Sequence, residues 1–510
     1  MGSIIIDDPL VNDPSLLSTF EVLDDAHPKD TSLPAFMVSK TRGFLPRAEP
    51  VVELPVVFAP LEDLLTRMPV KCLDGSPGLL AEGKLGDAIL NDGLLPDLTD
   101  AIDEPSVRHN LPLLNALYRD YAFLASAFLL EPCHLRFLKG EPYGLGRDVL
   151  PACIARPIAR TARICGFKPF MEYAGSYALF NYRLEDPDKG LQYDNLRLIR
   201  AFEHGLDPTS SEAGFVLVHV DMVRNSGPLV AGTCDCLDVV QGQKSRADFN
   251  AGLAQVLGAL TRINGVMETM WAKSRPEQYT SFRTFIFGIT SQSMFPDGVA
   301  YEGVGEDGFE AADPSTKTRL SFRGESGAND SMVPLMDSFL QIPMPDTPLT
   351  EILKDFRQYR PSNHRQFLAY VRARSSQLGV KAFALGDDGD VGDEAEKVES
   401  VRLWLQILNQ VRDFRWRHWC FGKEYILKRT SHPTATGGSP IVTWLPNQLK
   451  AVLLEMQAIY AGAVGEDAAA HAGSTKTKLG EDIDDMMAMV GRQSATLAKE
   501  VARYCEERGV

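Results

Sequence analysis

The sequence predicts a mainly α-helical protein, with a large all-helical domain over residues 206–510 preceded by a smaller mixed α/β domain over residues 1–205. Two observations carry this. From about residue 110 onward, apolar residues recur at three- and four-residue steps over long stretches, whereas alternating strand-like patterns are short and lie mainly in the first half. The chain also has 510 residues, 44% of them hydrophobic and 24% charged, which is enough ordinary globular sequence for two cores.

In chain order, residues 1–60 read as a wrapping arm. Pro46, Pro50, Pro55 and Pro60 each remove a backbone donor and push their predecessors to extended geometry. The first long helical stripe is Leu113, Leu114, Leu117, Tyr118, Tyr121 and Leu124. Further stripes run over 249–270 (Leu253, Val256, Leu260, Ile263, Met267), over 399–415 (Val401, Leu405, Leu408, Val411) and over 447–461. Residues 386–397 read as an acidic solvated loop, 462–481 as a mobile Gly/Ala/Ser/Lys stretch, and Ile483–Cys505 as a closing amphipathic helix. No internal repeat is present.

Lys and Arg total 52 against 68 Asp and Glu, a net charge of −16. Such a surface repels phosphate backbones and anionic lipid, which argues against nucleic acid and membranes as partners. No window approaches the ~18 apolar residues of a spanning helix. The first residues, Met1 to Asp8, lack the pattern of a secretory signal, and the eight Cys form no framework. The expected compartment is the cytoplasm.

Several motifs fail on inspection. Gly303-Val-Gly305-Glu-Asp-Gly308 has the letters of a dinucleotide loop but puts Glu306 and Asp307 where a pyrophosphate would sit. The acidic loop offers Asp388 and Asp390 as calcium ligands and then Gly392 where a third is needed. Cys234-Asp-Cys236 lacks a second zinc pair, and Gly324-Glu-Ser326-Gly-Ala lacks the final Gly of a nucleophile elbow. Two histidines remain. In Ser362-Asn363-His364 to Val371, a capped helix puts His364 on the same face as Phe367, Leu368 and Val371. His219 lies four residues after Phe215 in the apolar run Gly214–Met222. Each alone reads as a core histidine with satisfied nitrogens; two together on separate helices could serve a planar metallocofactor.

The ordered series Tyr173-Ala174, Asn181-Tyr182, Gly214-Phe215, Arg283, Asp297 to Gly303, Phe322 to Ser331, Asp337, His364-Arg365 and Thr436-Gly437-Gly438 resembles the haem-dependent indoleamine 2,3-dioxygenase family, over about residues 118–449. The resemblance implies a haem b between helices under the smaller domain, with His364 as proximal iron ligand and Asp337 in support behind it. It further implies a distal pocket of Tyr173, Ser176 and Phe215, with Arg283 on the substrate carboxylate. Ser326 and Gly327 would form the loop over the haem, and Thr436-Gly437 a closing lid. Two departures stand out. His219 replaces the Ser of mammalian-type members, and Gln278 replaces an aromatic that packs on the indole.

The implied reaction opens the indole ring of L-tryptophan between C2 and C3 with dioxygen to give N-formylkynurenine, the first step of degradation through kynurenine, with His219 acting near the oxygen or the indole N–H. Alternatives are a relative acting on a substituted indole in secondary metabolism, to which Gln278 points, and a haem protein that binds oxygen without turnover. The chain is expected to act as a monomer on a small-molecule indole and O2.

Overall fold

The computed structural model describes residues 20–508 apart from 243, 345–348, 387–392, 431, 433 and 474–475. Most of the expected arm, 20–60, is therefore described, and it is irregular, while Met1–Asp8 and the centre of the acidic loop lie outside the described residues. The predicted helices are all present. Helix α1 (Leu111–Leu138) starts on Asn110, whose side chain accepts from the Leu113 amide at 3.1 Å. It is buried on every side from Leu113 to Leu130, so it forms the centre of the first half. Strand β1 (Val149–Leu150) and helix α2 (Ala152–Cys165) follow, then a π-helical turn at Tyr173–Tyr177 and the hairpin β2 (Tyr182–Leu184) and β3 (Leu196–Leu198).

The second half continues with α3 (Ser211–Val223), α4 (Ser226–Gly242), α5 (Arg246–Glu268) and α6 (Pro276–Arg283). It is not all-helical. Strands β4 (Val299–Glu302) and β5 (Lys317–Leu320) form a hairpin, and β4 pairs in parallel with β1, Val149 opposite Ala300. The sheet thus joins segments on both sides of residue 205. Alternation is hard to see at β4 because both its faces are covered and Val299, Ala300 and Tyr301 are all buried. The would-be dinucleotide loop at Gly303–Gly308 is the turn region after β4, and no helix opens from it.

Helices α7 (Met332–Phe339), α8 (Ser362–Gln377), α9 (Glu394–Phe421), a π-helical turn at Gly422–Leu427, α10 (Ile441–Val464) and α11 (Glu481–Arg508) complete the chain. Glu394 to Lys397, expected in a loop, make the first turn of α9, because Asp393 caps it by accepting from the Ala395 amide at 2.9 Å. Residues 466–470 form a short helix within the stretch expected to be mobile. Helix α11 packs on α10 and runs parallel to α9: Arg402 bonds Asp482 at 3.0 Å, and Trp419 Nε1 donates to Glu500 at 2.7 Å. Helix α5 packs against α3, α4 and α9. No helix among the described residues is long and apolar enough to cross a membrane.

Two buried features of α1 set its stability. Asp120 accepts from Arg119 Nε at 2.8 Å and from Arg200 Nε and Nη2 at 2.9 Å, with both its oxygens engaged. Arg119 in turn donates to the carbonyls of Val51 and Phe180, tying the arm and the loop after the Tyr173 turn to α1. Asp120→Ala leaves the buried Arg119 guanidinium without a counter-charge and Arg200 with Glu62 alone, and is expected to cost ~3–5 kcal/mol in urea unfolding. His134 is 1% exposed, packs 4.7 Å from Phe285 and has no partner on either ring nitrogen among the described residues. Burial holds its imidazole down at about 4 against an ordinary 6.5. Its contribution to stability is therefore complete above pH 6.5 and is lost as pH falls to about 4, a total of ~3 kcal/mol. Unfolding free energies measured across that window should show this loss, and His134→Leu should lessen the slope by about one proton.

Candidate active site

A cavity of about 1090 Å³, part of it open to solvent, lies among α3, α5, α9, α10 and two irregular segments, 325–332 and 435–439. Each wall has a local cause.

On α3, the Ser210 side chain caps the first turn by accepting from the Ala213 amide at 3.1 Å. Phe215 and His219, one turn apart, both line the cavity. His219 Nδ1 is 2.8 Å from the Phe215 carbonyl oxygen, so the proton is assigned to Nδ1 and Nε2 is left as an acceptor. Nε2 lies 3.6 Å from the point where a Cβ on Gly327 would sit. Burial lowers the His219 pKa, keeping the ring neutral at pH 7.

Tyr173 stands on the π-helical turn that Glu172 caps by accepting from the Ala174 amide at 2.9 Å and from the Gly175 amide. A Cβ at Gly175 would fall 2.6 Å from the Phe167 ring, so the turn needs glycine there. Tyr173 lines the cavity with its ring T-shaped to His219 at 5.6 Å. Ser176, expected in the pocket, is instead fully buried in this turn: its hydroxyl donates to the Glu172 carbonyl at 2.7 Å and accepts from the Glu172 amide at 2.9 Å. It is not part of the cavity wall.

The wall expected at Gln278 is also displaced. On α6 the Gln278 carbonyl accepts from the Ser211 hydroxyl at 2.5 Å, outside the cavity, while its neighbour Tyr279 lines it. One residue is about 100° of helix rotation, which moves an amide out and an aromatic in. Tyr279 packs 5.3 Å from both Phe215 and Phe282. The ring wall is therefore aromatic after all.

His364 is 1% exposed on α8, with Nδ1 3.2 Å from the Ser331 hydroxyl and Nε2 buried without a partner among the described residues; it is not itself in the cavity wall, but Asp330 and Met332, on either side of Ser331, are. Its ring faces the N-terminal arm, edge-on to Phe36 at 5.7 Å and Phe44 at 5.0 Å. Burial and the nearby Arg360 charge push it down to about 3. A second imidazole lines the cavity besides His219: His418 on α9, flanked there by Phe414, Phe421, Gly422 and Tyr425. Neither of its ring nitrogens has a hydrogen-bond partner among the described residues. Burial, then the neighbouring His219 and Arg415, hold it at about 4. The spacing 414, 418, 421, 425 is itself a helical stripe and is the signal that could have found it.

Arg415, three residues before His418, donates from Nη2 to both oxygens of Asp337 at 2.9 and 2.7 Å and keeps a buried, unpartnered Nη1. Asp337 thus supports α9 rather than α8. Ser326 and Gly327 line the cavity, with Ser326 capping a short turn by accepting from the Ala328 amide at 3.3 Å. The segment is shaped by Gly324, whose Cβ would fall 2.3 Å from the Gly288 amide nitrogen. Thr436 lines the cavity and donates to the Glu325 carbonyl at 2.8 Å, while Gly437 packs behind it against Phe356 and Ser326. Arg283 is fully buried one layer behind the wall, near Tyr279. Its Nη2 donates to the Thr434 carbonyl at 2.8 Å, and its Nε and Nη1 have no partner. Cys234 and Cys236 are free thiols on α4, away from the cavity.

The profile of the indoleamine 2,3-dioxygenase family matches residues 32–472, which leaves α11 outside the match. The chain is 27% identical over 315 residues to indoleamine 2,3-dioxygenase of Saccharomyces cerevisiae, covering 58% of this chain and 62% of the yeast protein. It is thus aligned to less than two thirds of that relative's length. Indoleamine 2,3-dioxygenase 1 of Mus musculus is 24% identical over 393 residues, 76% of this chain and 83% of the mouse protein. A 6-hydroxytryptophan 2,3-dioxygenase of Fusarium equiseti is 23% identical over 385 residues, 75% of this chain and 83% of its own. By the extent of the family match, this chain belongs to the indoleamine 2,3-dioxygenase family.

Proposed function

We propose that the chain is a haem-dependent dioxygenase that opens the pyrrole ring of L-tryptophan with O2 to give N-formylkynurenine, as the entry to kynurenine-type degradation. One observation carries the reading: the buried His364 keeps Nε2 without a partner while its Nδ1 meets the Ser331 hydroxyl, between two residues, Asp330 and Met332, that line the cavity. An iron-ligating imidazole must be neutral and must have a free nitrogen, and His364 meets both conditions.

The donor set fits a haem that His364 would hold. Met222, Met267, Met332, Ile441 and Leu445 give the cavity apolar walls suited to a porphyrin. The spare Nη1 of Arg415, steadied by Asp337, suits a haem carboxylate. The sequence has no Cys-x-x-Cys-His motif for covalent attachment, which favours haem b. When bound, the iron supplies the activation of dioxygen that no side chain here can provide.

The rest of the work falls to the chain. Phe215, Tyr173 and Tyr279 hold the indole ring between aromatic faces. His219 Nε2, an acceptor by its tautomer, orients the indole N–H. Arg283 has two unused donor nitrogens for a carboxylate and reaches it after a small shift of the 434–436 segment that it already contacts. Thr436, bonded across to Glu325, closes the wall and excludes water.

The deciding experiment compares absorption spectra of His418→Ala and His364→Ala, ferrous with carbon monoxide. His364→Ala should lose nearly all of its Soret band after purification and His418→Ala should keep it; the reverse result would overturn the assignment. Thr436→Val should raise KM for tryptophan about fivefold with little change in kcat, the effect of ~1 kcal/mol from one lost hydrogen bond in the closed wall, measured by steady-state kinetics.

A further inference from the structure

The cavity wall carries polar groups that a plain indole would leave unsatisfied. Glu325 lines the cavity at 2% exposure, and neither carboxyl oxygen has a hydrogen-bond partner among the described residues; Oε1 is completely buried. The hydroxyl of Tyr173, on the same cavity, is also buried without a partner, and so is that of Tyr177 on the same π-helical turn. An ionised Glu325 would oppose ionisation of both phenols, so all three groups lie near one another. Leaving such groups unmet costs on the order of 1–3 kcal/mol each, which is why buried polar atoms nearly always find partners. Here the open partner position is the ligand cavity.

The part of the ligand that meets them is not the carboxylate. A carboxylate is suited to Arg283, with its two unpartnered donor nitrogens, and not to a second carboxyl group such as Glu325. The main chain of Glu325 is fixed by the Thr436 hydroxyl at 2.8 Å, while its side chain stays free. Burial and the nearby Glu172 raise the Glu325 carboxyl to about 8, so at pH 7 it is mostly a neutral acid, complementary to a neutral group that both donates and accepts. A hydroxyl does both; an ammonium only donates.

We propose that Glu325 and the Tyr173 hydroxyl form a subsite for a hydroxyl on the benzo ring of the substrate, so that the preferred substrate is a ring-hydroxylated tryptophan. The identity of the ring rests on the dioxygenase reading above. Glu325 is then a specificity-determining residue.

The test uses haem-loaded full-length protein with tryptophan, the 4- to 7-hydroxytryptophans and indole-3-propionate, measuring both calorimetric Kd without O2 and kcat/KM with it. The wild type should favour at least one hydroxytryptophan over tryptophan by tenfold or more, because a site built for a hydroxyl penalises its absence. Glu325→Leu should reduce that ratio to near one, and Glu325→Gln, which keeps hydrogen bonding, should retain most of it. No preference in the wild type, or a preference unchanged in Glu325→Leu, overturns the subsite. So does a Glu325→Leu variant that loses affinity for tryptophan but not for indole-3-propionate, since the carboxyl would then serve the ammonium. Protein that binds hydroxytryptophans with the stated preference but turns none over would defeat the dioxygenase reading and leave the subsite standing.

Discussion

The site depends on keeping two imidazoles uncharged inside one cavity. His219 and His418 come from α3 and α9, and α5 packs against both helices. Burial lowers both pKa values, and the neighbouring His219 and Arg415 further resist the protonation of His418. In water an imidazole is part-protonated near pH 6.5, and a protonated ring has no lone pair to offer a metal. The helical frame therefore does chemical work before any cofactor arrives: by excluding water it holds both lone pairs available at neutral pH. The cost is a fold that cannot tolerate acid well, as the buried His134 and His364 also imply.

The helices were legible in the sequence because their stripes are long and regular. The stripe at 249–270 became Arg246–Glu268, and that at 399–415 the longer Glu394–Phe421. The short strands were harder. β4 is buried on both faces and finds its partner β1 about 150 residues away, a pairing that local periodicity does not encode. The site was legible in part. His364 lies on the buried face that its spacing predicts, and its ring neighbours there, Phe36 and Phe44 of the arm, are ones that periodicity does not encode. His418 sits between Arg417 and Trp419, in a segment whose charges mask a stripe running beyond 415 to Tyr425. Gln278 and Tyr279 differ by a single helical step, which spacing to Arg283 alone could not resolve.

Asp337 steadies α9, accepting from Arg415 Nη2 through both carboxylate oxygens. Three residues separate Arg415 from His418, so the pair sits one helical turn apart on one side of α9. Helix α11 reinforces the same stretch from outside: Glu500 accepts from Trp419 Nε1 at 2.7 Å and from Lys423 Nζ at 2.8 Å. His418 is thus bracketed by an ion pair on one side and a three-way contact on the other, which limits how far its ring can move.

The remaining wall is built from loops, and that choice has a consequence. Segment 325–328 is irregular and carries its own unmet carboxyl at Glu325. Segment 434–437 touches it through Thr436 and touches Arg283 through Thr434. Segment 434–437 is anchored further by the Gly288 amide on the Thr436 carbonyl at 3.0 Å, by Gln292 Nε2 on the Ala435 carbonyl at 2.9 Å and by Arg323 Nη1 on the Gly437 carbonyl at 2.9 Å. Under the proposed function, a ligand that met Glu325 would steady the main chain to which Thr436 is bonded, and through Thr434 the same segment reaches the guanidinium. Recognition of the ring and capture of the carboxylate would in this way be joined through one segment of main chain.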